Sequence, residues 1–130
     1  MRKGTLLIPS GTDADPNRRH LFVALTDPQG GDGRVLLASF STVTDRYYCE
    51  ETCVMDPEEV EHPFITDRSF IRYQKLRWET VEDLQLGLRN GSIQQMQDLS
   101  EQVVERICQG VADSPFAAPK YKKFLERSQR

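Results

Sequence analysis

Three short apolar runs, Thr5–Ile8, His20–Thr26 and Arg34–Ser41, crowd into the first 41 residues, and their spacing constrains the fold more than any other feature of the chain. Two parallel strands need a crossover of about a dozen residues or more, usually a helix. The segments between these runs are short and rich in turn formers. Asp13, Asp15, Pro16 and Asn17 fill the first, and DPQGGDG fills the second. The chain must therefore double back twice, as an antiparallel meander. His20–Thr26 is apolar throughout its centre and stops at Asp27 and Pro28, which suits a strand buried on both faces better than a helix.

The remainder divides into three stretches. Residues 42–62 carry Asp45, Glu50, Glu51, Asp56, Glu58, Glu59 and Glu61 with no apolar period, and read as a long solvated acidic loop with one short strand at Cys53–Met55. Strand character resumes at Phe64 and Ile65, at Ser69–Tyr73 and at Leu76–Val81, for a total of about five or six strands. The last third is helical. Val103, Val104, Ile107, Cys108 and Val111 recur at helical spacing behind a capping-box pattern at Asp98 and Glu101, with Ser100 a competing N-cap and Gly110 the expected terminator. Pro115 and Pro119 break the chain, and Lys120–Gln129 forms a second short helix whose Tyr121, Phe124 and Leu125 dock on the protein's own sheet. The expected class is mainly β with C-terminal α. Its 130 residues fit one domain, 1–114, followed by a basic Pro-initiated tail, 115–130.

Charge narrows the partners. Seventeen Lys and Arg against twenty Asp and Glu give a net charge of -3, which excludes a polyanion binder that relies on positive potential over its whole surface. Any such site must be local. The opening MRKGTLLIPSG has no secretory leader pattern, and three cysteines make no paired disulfide framework, so a reducing cytoplasm is the expected home. No apolar run approaches the roughly 18 residues of a membrane span, so no membrane partner is expected.

Two basic groups stand out. Arg18, Arg19 and His20 form a compact cluster at the start of the second run. Arg72, Lys75 and Arg77 interleave with Phe70, Tyr73 and Trp78, a pattern that offers phosphate contacts beside stacking rings, although strand alternation alone also places charges outward. Cys49, Cys53 and His62, with His20 as a fourth group, are the only partial set of zinc ligands. Their spacing lacks the second matching pair of structural zinc sites, so no metal or other cofactor is expected. Cys53 beside His62 as a nucleophile is the weaker alternative chemistry. Cys108 reads as a small apolar residue of the helix.

The segments GTLLIPSG, RRHLFVALTDP, RVLLASFST, HPFITDRSFIRYQKLRW and SEQVVERICQG, which cover most of residues 4–112, resemble in order and spacing the PemK/MazF toxin family of type II toxin-antitoxin systems. The resemblance implies a small, bent, SH3-like antiparallel barrel. It also implies a metal-independent endoribonuclease that cleaves single-stranded RNA, works as a homodimer and is silenced by a cognate antitoxin. In that family an arginine at the start of the second strand stabilises charge on the phosphorane and a hydroxyl at the end of the third binds or relays a proton. The matching positions here are Arg19, with Arg18 beside it, and Ser41 or Thr42. A strict strand alignment instead puts His20 at the arginine's place, and a histidine there serves as a general base. Loss of the ribonuclease site would leave a barrel that only binds. Convergence of the basic residues on one face is what a ribonuclease requires.

Overall fold

The computed structural model describes residues 1–9 and 18–130. Most of the loop expected over 12–19 lies outside the described residues, with Arg18 and Arg19 inside them. Strands β1 (Thr5–Pro9), β2 (Arg19–Ala24) and β3 (Arg34–Thr42) form the expected antiparallel meander, with Leu7 paired to Leu21 and Val23 to Ala38. Beyond them come β4 (Val54–Met55), helix α1 (Pro57–Val60), β5 (Ser69–Ile71), a 3-10 turn (Tyr73–Lys75) and β6 (Arg77–Thr80). Helix α2 (Val81–Asn90), β7 (Gln94–Met96), α3 (Glu101–Asp113) and α4 (Pro119–Ser128) complete the chain. The strands hydrogen-bond in the order β4-β5-β3-β2-β1-β7, with β6 also on β3. The architecture is thus a mixed β/α one on a seven-stranded antiparallel sheet, and among the described residues its terminal strands β4 and β7 do not pair to close a barrel.

β3 organises the sheet. Along one edge it pairs first with β6, Leu36 facing Trp78, and then with β5, Phe40 facing Ile71. The 3-10 turn between them lets a single edge segment follow β3 in two pieces.

Both faces of β2 and β3 are covered, as the unbroken apolar runs predict. Leu21, Val23, Leu36, Ala38 and Ile71 pack on one side against Val104, Ile107 and Val111 of α3 and Phe124 and Leu125 of α4. Leu6, Ile8, Phe22, Val35 and Leu37 pack on the other against Leu84 of α2. A fully buried large apolar side chain contributes roughly 1.5–3 kcal/mol and a hydrogen bond a net of about 1 kcal/mol, so the two packed layers outweigh the strand ladder.

The second layer corrects the sequence reading, which had a strand running through Val81 and no helix after it. Thr80 instead accepts a hydrogen bond from Asp83 N at 3.1 Å and caps α2, Glu82 and Asp83 occupy its first turn, and Gly91 closes it at φ 81. The polar β7, Gln94–Met96, raises the strand count above the expected five or six because edge strands need little apolar content. The acidic loop is likewise less solvated than expected. Glu50 is buried and accepts hydrogen bonds from Thr52 Oγ1 at 2.5 Å and from Ser114 Oγ. Glu59 pairs with Arg106, which also donates to Val54 O at 2.8 Å. The short strand expected near Cys53–Met55 is present as β4.

At the start of α3 it is Ser100 that caps, accepting from Val103 N at 3.2 Å. Gly110 does not end this helix, which continues to Asp113. Its role is clearance: the buried Tyr73 hydroxyl donates to Ile107 O at 2.8 Å, and a Cβ at Gly110 would sit 1.8 Å from that oxygen. Gly110→Ala is expected to destabilise the protein by about 1–3 kcal/mol in urea denaturation. Adding Tyr73→Phe, which removes the colliding oxygen, is expected to restore part of the loss. Additive losses in the double variant would show that the two residues are not coupled.

Candidate nucleic-acid interface

The face that carries Phe22 and Leu37 under α2 continues past the helix as a polar patch, buried at Ser39 and Ser41 and partly exposed at His20, Arg72 and Arg77. Strand alternation puts His20 on this face with Phe22, and Ser39 and Ser41 on it with Leu37. Phe70, paired with Ser41, follows on β5. Arg72 N then donates to Ser39 O at 3.1 Å, which places Arg72 at the next step. Arg77, paired with Leu37, lays its guanidinium over the Phe22 ring at 4.6 Å.

The electrostatics confirm the clustering. His20 is half-buried, and burial first, then the charges of Arg18 and Arg72, hold its imidazole below the ordinary histidine range. It is therefore largely neutral at pH 7. Ser41 is buried, and neither its Oγ nor the buried Arg72 Nε has a hydrogen-bond partner among the described residues. Buried polar groups are normally satisfied, and these two atoms are closed to solvent, so an incoming acceptor reaches them only if the side chains around them shift. The exposed ring of Tyr47 lies 5.7 Å from the Arg72 guanidinium and edges this surface.

Several sequence expectations are relocated. Arg19 is exposed and donates to Gln94 Oε1 at 3.4 Å and Gly91 O at 3.3 Å, so its guanidinium is directed to the turn between α2 and β7. Thr42 is exposed and alternates to the opposite face from Ser41. Lys75 is exposed in the 3-10 turn. Tyr73 is not a stacking ring: it is 1% exposed, its hydroxyl is bonded to α3 and burial pushes its acidity well below that of an ordinary phenol. Trp78 alternates to the face covered by α4. Tyr47 and Ser39 were missed because one lies in a loop dominated by acids and the other inside an apolar run. The Tyr47-Tyr48 pair within that loop was the readable signal.

The cysteines and His62 do not come together as ligands, and among the described residues no three His, Cys, Asp or Glu side chains cluster to hold an ion. Buried Cys53 has its thiol pushed up by desolvation, which removes the thiolate a nucleophile needs. Cys108 is buried on α3 as expected, its thiol pushed up to about 11.

His62 is a buried link. Phe64 N donates to its Nδ1 at 3.1 Å, so Nε2 carries the proton and donates to Thr5 Oγ1 at 3.0 Å, and Thr5 donates in turn to Gln97 O at 2.6 Å. A second ring proton would face the Phe64 N–H. Burial accordingly lowers its proton affinity below the unfolded value of 6.5. Because the unfolded chain binds protons that folded His62 refuses, stability is complete above pH 6.5 and is lost as the pH falls below it. His62→Gln is expected to flatten part of this acid-side slope in denaturation midpoints measured from pH 7.5 to 5, with the remainder carried by His20. No protein-family model, no curated protein and no solved structure matches the chain.

Proposed function

We propose that the protein is a metal-independent endoribonuclease of toxin type that cleaves single-stranded RNA on the polar sheet face. The observation that carries this reading is the convergence of His20, Ser41, Arg72 and Arg77 from three strands and a turn onto that one face. An acidic chain thereby offers a local cation at Arg72, while Arg77 on the same face is paired with Glu79 at 3.2 Å; phosphate binding draws on such a local charge.

The chemistry follows from the states of the groups. A neutral His20 accepts the proton of a ribose 2′-hydroxyl as its oxygen attacks the adjacent phosphorus. The partly exposed guanidinium of Arg72 donates to the nonbridging oxygens as negative charge builds on the phosphorane, the bond to the 5′-oxygen breaks, and that oxygen takes a proton from water. Phe70 is buried, so base contacts fall to Tyr47, whose exposed ring stands beside Arg72. In this assignment Arg72 takes the role that the family resemblance gives to an arginine on the second strand, because Arg19 is occupied elsewhere. A homodimer in the cytoplasm, silenced by an antitoxin segment that fills the same face, belongs to the same proposal.

Arg72→Ala and His20→Gln are each expected to lower the cleavage rate of mixed single-stranded RNA about 100-fold or more, with circular dichroism unchanged. Arg19→Ala is expected to stay within a few-fold of the parent. The rate should rise with pH through an apparent pKa below 6.5 and level off by pH 7, and His20→Gln should abolish that limb. A well-folded parent protein that leaves RNA intact would assign the face to binding without catalysis, the role favoured by the diversion of Arg19.

A further inference from the structure

A second cationic and aromatic cluster stands at the outer edge of β6. Trp78 is packed edge-on by Tyr121 at 4.9 Å and at a tilt by Phe124 at 5.7 Å, both from α4. Over the same indole lie the Arg34 guanidinium at 4.5 Å and the Lys120 ammonium at 5.1 Å, and Lys120 is also 5.0 Å from the Tyr121 ring. Both cations lie within cation–π reach of the ring, and together they carry more positive charge than the neighbouring carboxylate offsets. One carboxylate is near: Asp32 Oδ1 lies 3.3 Å from Arg34 Nε, out of line for a hydrogen bond. Lys120 has no ion pair among the described residues, and the buried Trp78 Nε1 has no acceptor among them.

The setting is basic beyond these two residues. Helix α4 carries Lys120, Lys122, Lys123 and Arg127 against Glu126 alone, and its first turn has no acid to meet the helix dipole. Trp78 follows Arg77 directly on an edge strand, so the groove residue and the cluster sit on the two faces of one exposed edge. Trp78 and Tyr121 pack on the core and are only partly exposed, so what this edge offers a single strand of nucleic acid is phosphate contact from the cations beside accessible ring edges. An acidic protein partner would use the charges but would give the rings no comparable role.

Resting on the RNA reading above, we infer that the strand leaving the catalytic face crosses the β6 edge and is held on the far side by Arg34, Trp78, Lys120 and Tyr121. The protein then binds a longer stretch of RNA than its cleavage site occupies. The test uses the chain's single tryptophan as its own reporter. Single-stranded 2′-O-methyl RNAs of about six and about sixteen nucleotides, which cannot be cleaved because the attacking hydroxyl is blocked, are titrated while anisotropy and Trp78 emission are recorded.

The expected result is tighter binding of the long strand, with Trp78 emission quenched by it and not by the short one. Lys120→Ala should weaken the long strand about threefold to tenfold, leave the short strand unchanged and reduce the salt slope of the long one by about 0.7. Lys120→Arg should restore it. Long-strand binding that leaves Trp78 emission unchanged, or a Lys120→Ala effect that is absent or equal for both lengths, would overturn the inference while the groove stands. Failure of both strands to bind the folded parent would overturn the inference together with the RNA reading beneath it.

Discussion

The double burial of β2 and β3 is the constraint on which the rest depends. A strand whose side chains are apolar on both faces must be covered twice, and Val23, Val35, Leu36 and Leu37 are wholly out of solvent. That requirement recruits α3 and α4 to one side and α2 to the other. Because α2 is ten residues long, it shields only part of its side of the sheet. The remainder beyond the helix is polar: Ser39 and Ser41 are buried there, and His20, Arg72 and Arg77 reach water in part. The candidate site lies where the sheet runs on past its second helix.

Charge separation follows from the same geometry. The acids of residues 50–61 are drawn toward α3 and β5, through Glu50 to Ser114, Glu59 to Arg106 and Asp56 to Arg68. Arg72, between β5 and the 3-10 turn, and Arg77 of β6, which pairs with Glu79 at 3.2 Å, are left on the sheet face. The two exposed pairs, Glu59 with Arg106 and Asp56 with Arg68, contribute little to stability, at most about 1 kcal/mol each. Their effect is to fix which way the acidic segment lies. A net charge of -3 is thereby compatible with a face where two arginines, a serine and a neutral imidazole stand together.

Sequence alone carried the meander, the two buried strands and the two C-terminal helices, because each is written in local period: unbroken apolar runs, or a three-to-four spacing behind Ser100. It did not carry α2, since VEDLQLGLRN is polar and holds Gly87, whose missing side chain gives Ile93 its place: a Cβ there would lie 2.4 Å from Ile93 Cδ1. That contact is tertiary and has no local signature. Gly110 misled in the same way, as a terminator by propensity and a clearance by packing. At the site, His20 and Arg72 were legible as residue types, whereas their union depends on a register among three strands. Arg19 and Tyr73 show the converse: both fit the pattern, and distant partners, Gly91 and Ile107, direct them elsewhere.

The carboxylate of Glu50 reaches across 64 positions of sequence to Ser114, the residue at which α3 stops, while Ser114 Oγ also accepts from Phe116 N at 3.1 Å and the Tyr48 ring lies 5.9 Å from Phe116. The loop after β3 and the turn into α4 are thus fastened at one buried point. A bond of this kind is cooperative: if the α3-α4 junction opens, the buried carboxylate keeps only Thr52 as a donor, and the loop carrying Tyr47 loses its anchor as well. Hydrogen exchange would see the two segments as one unit with a shared opening free energy. The ring beside Arg72 is consequently held in place from the opposite end of the chain.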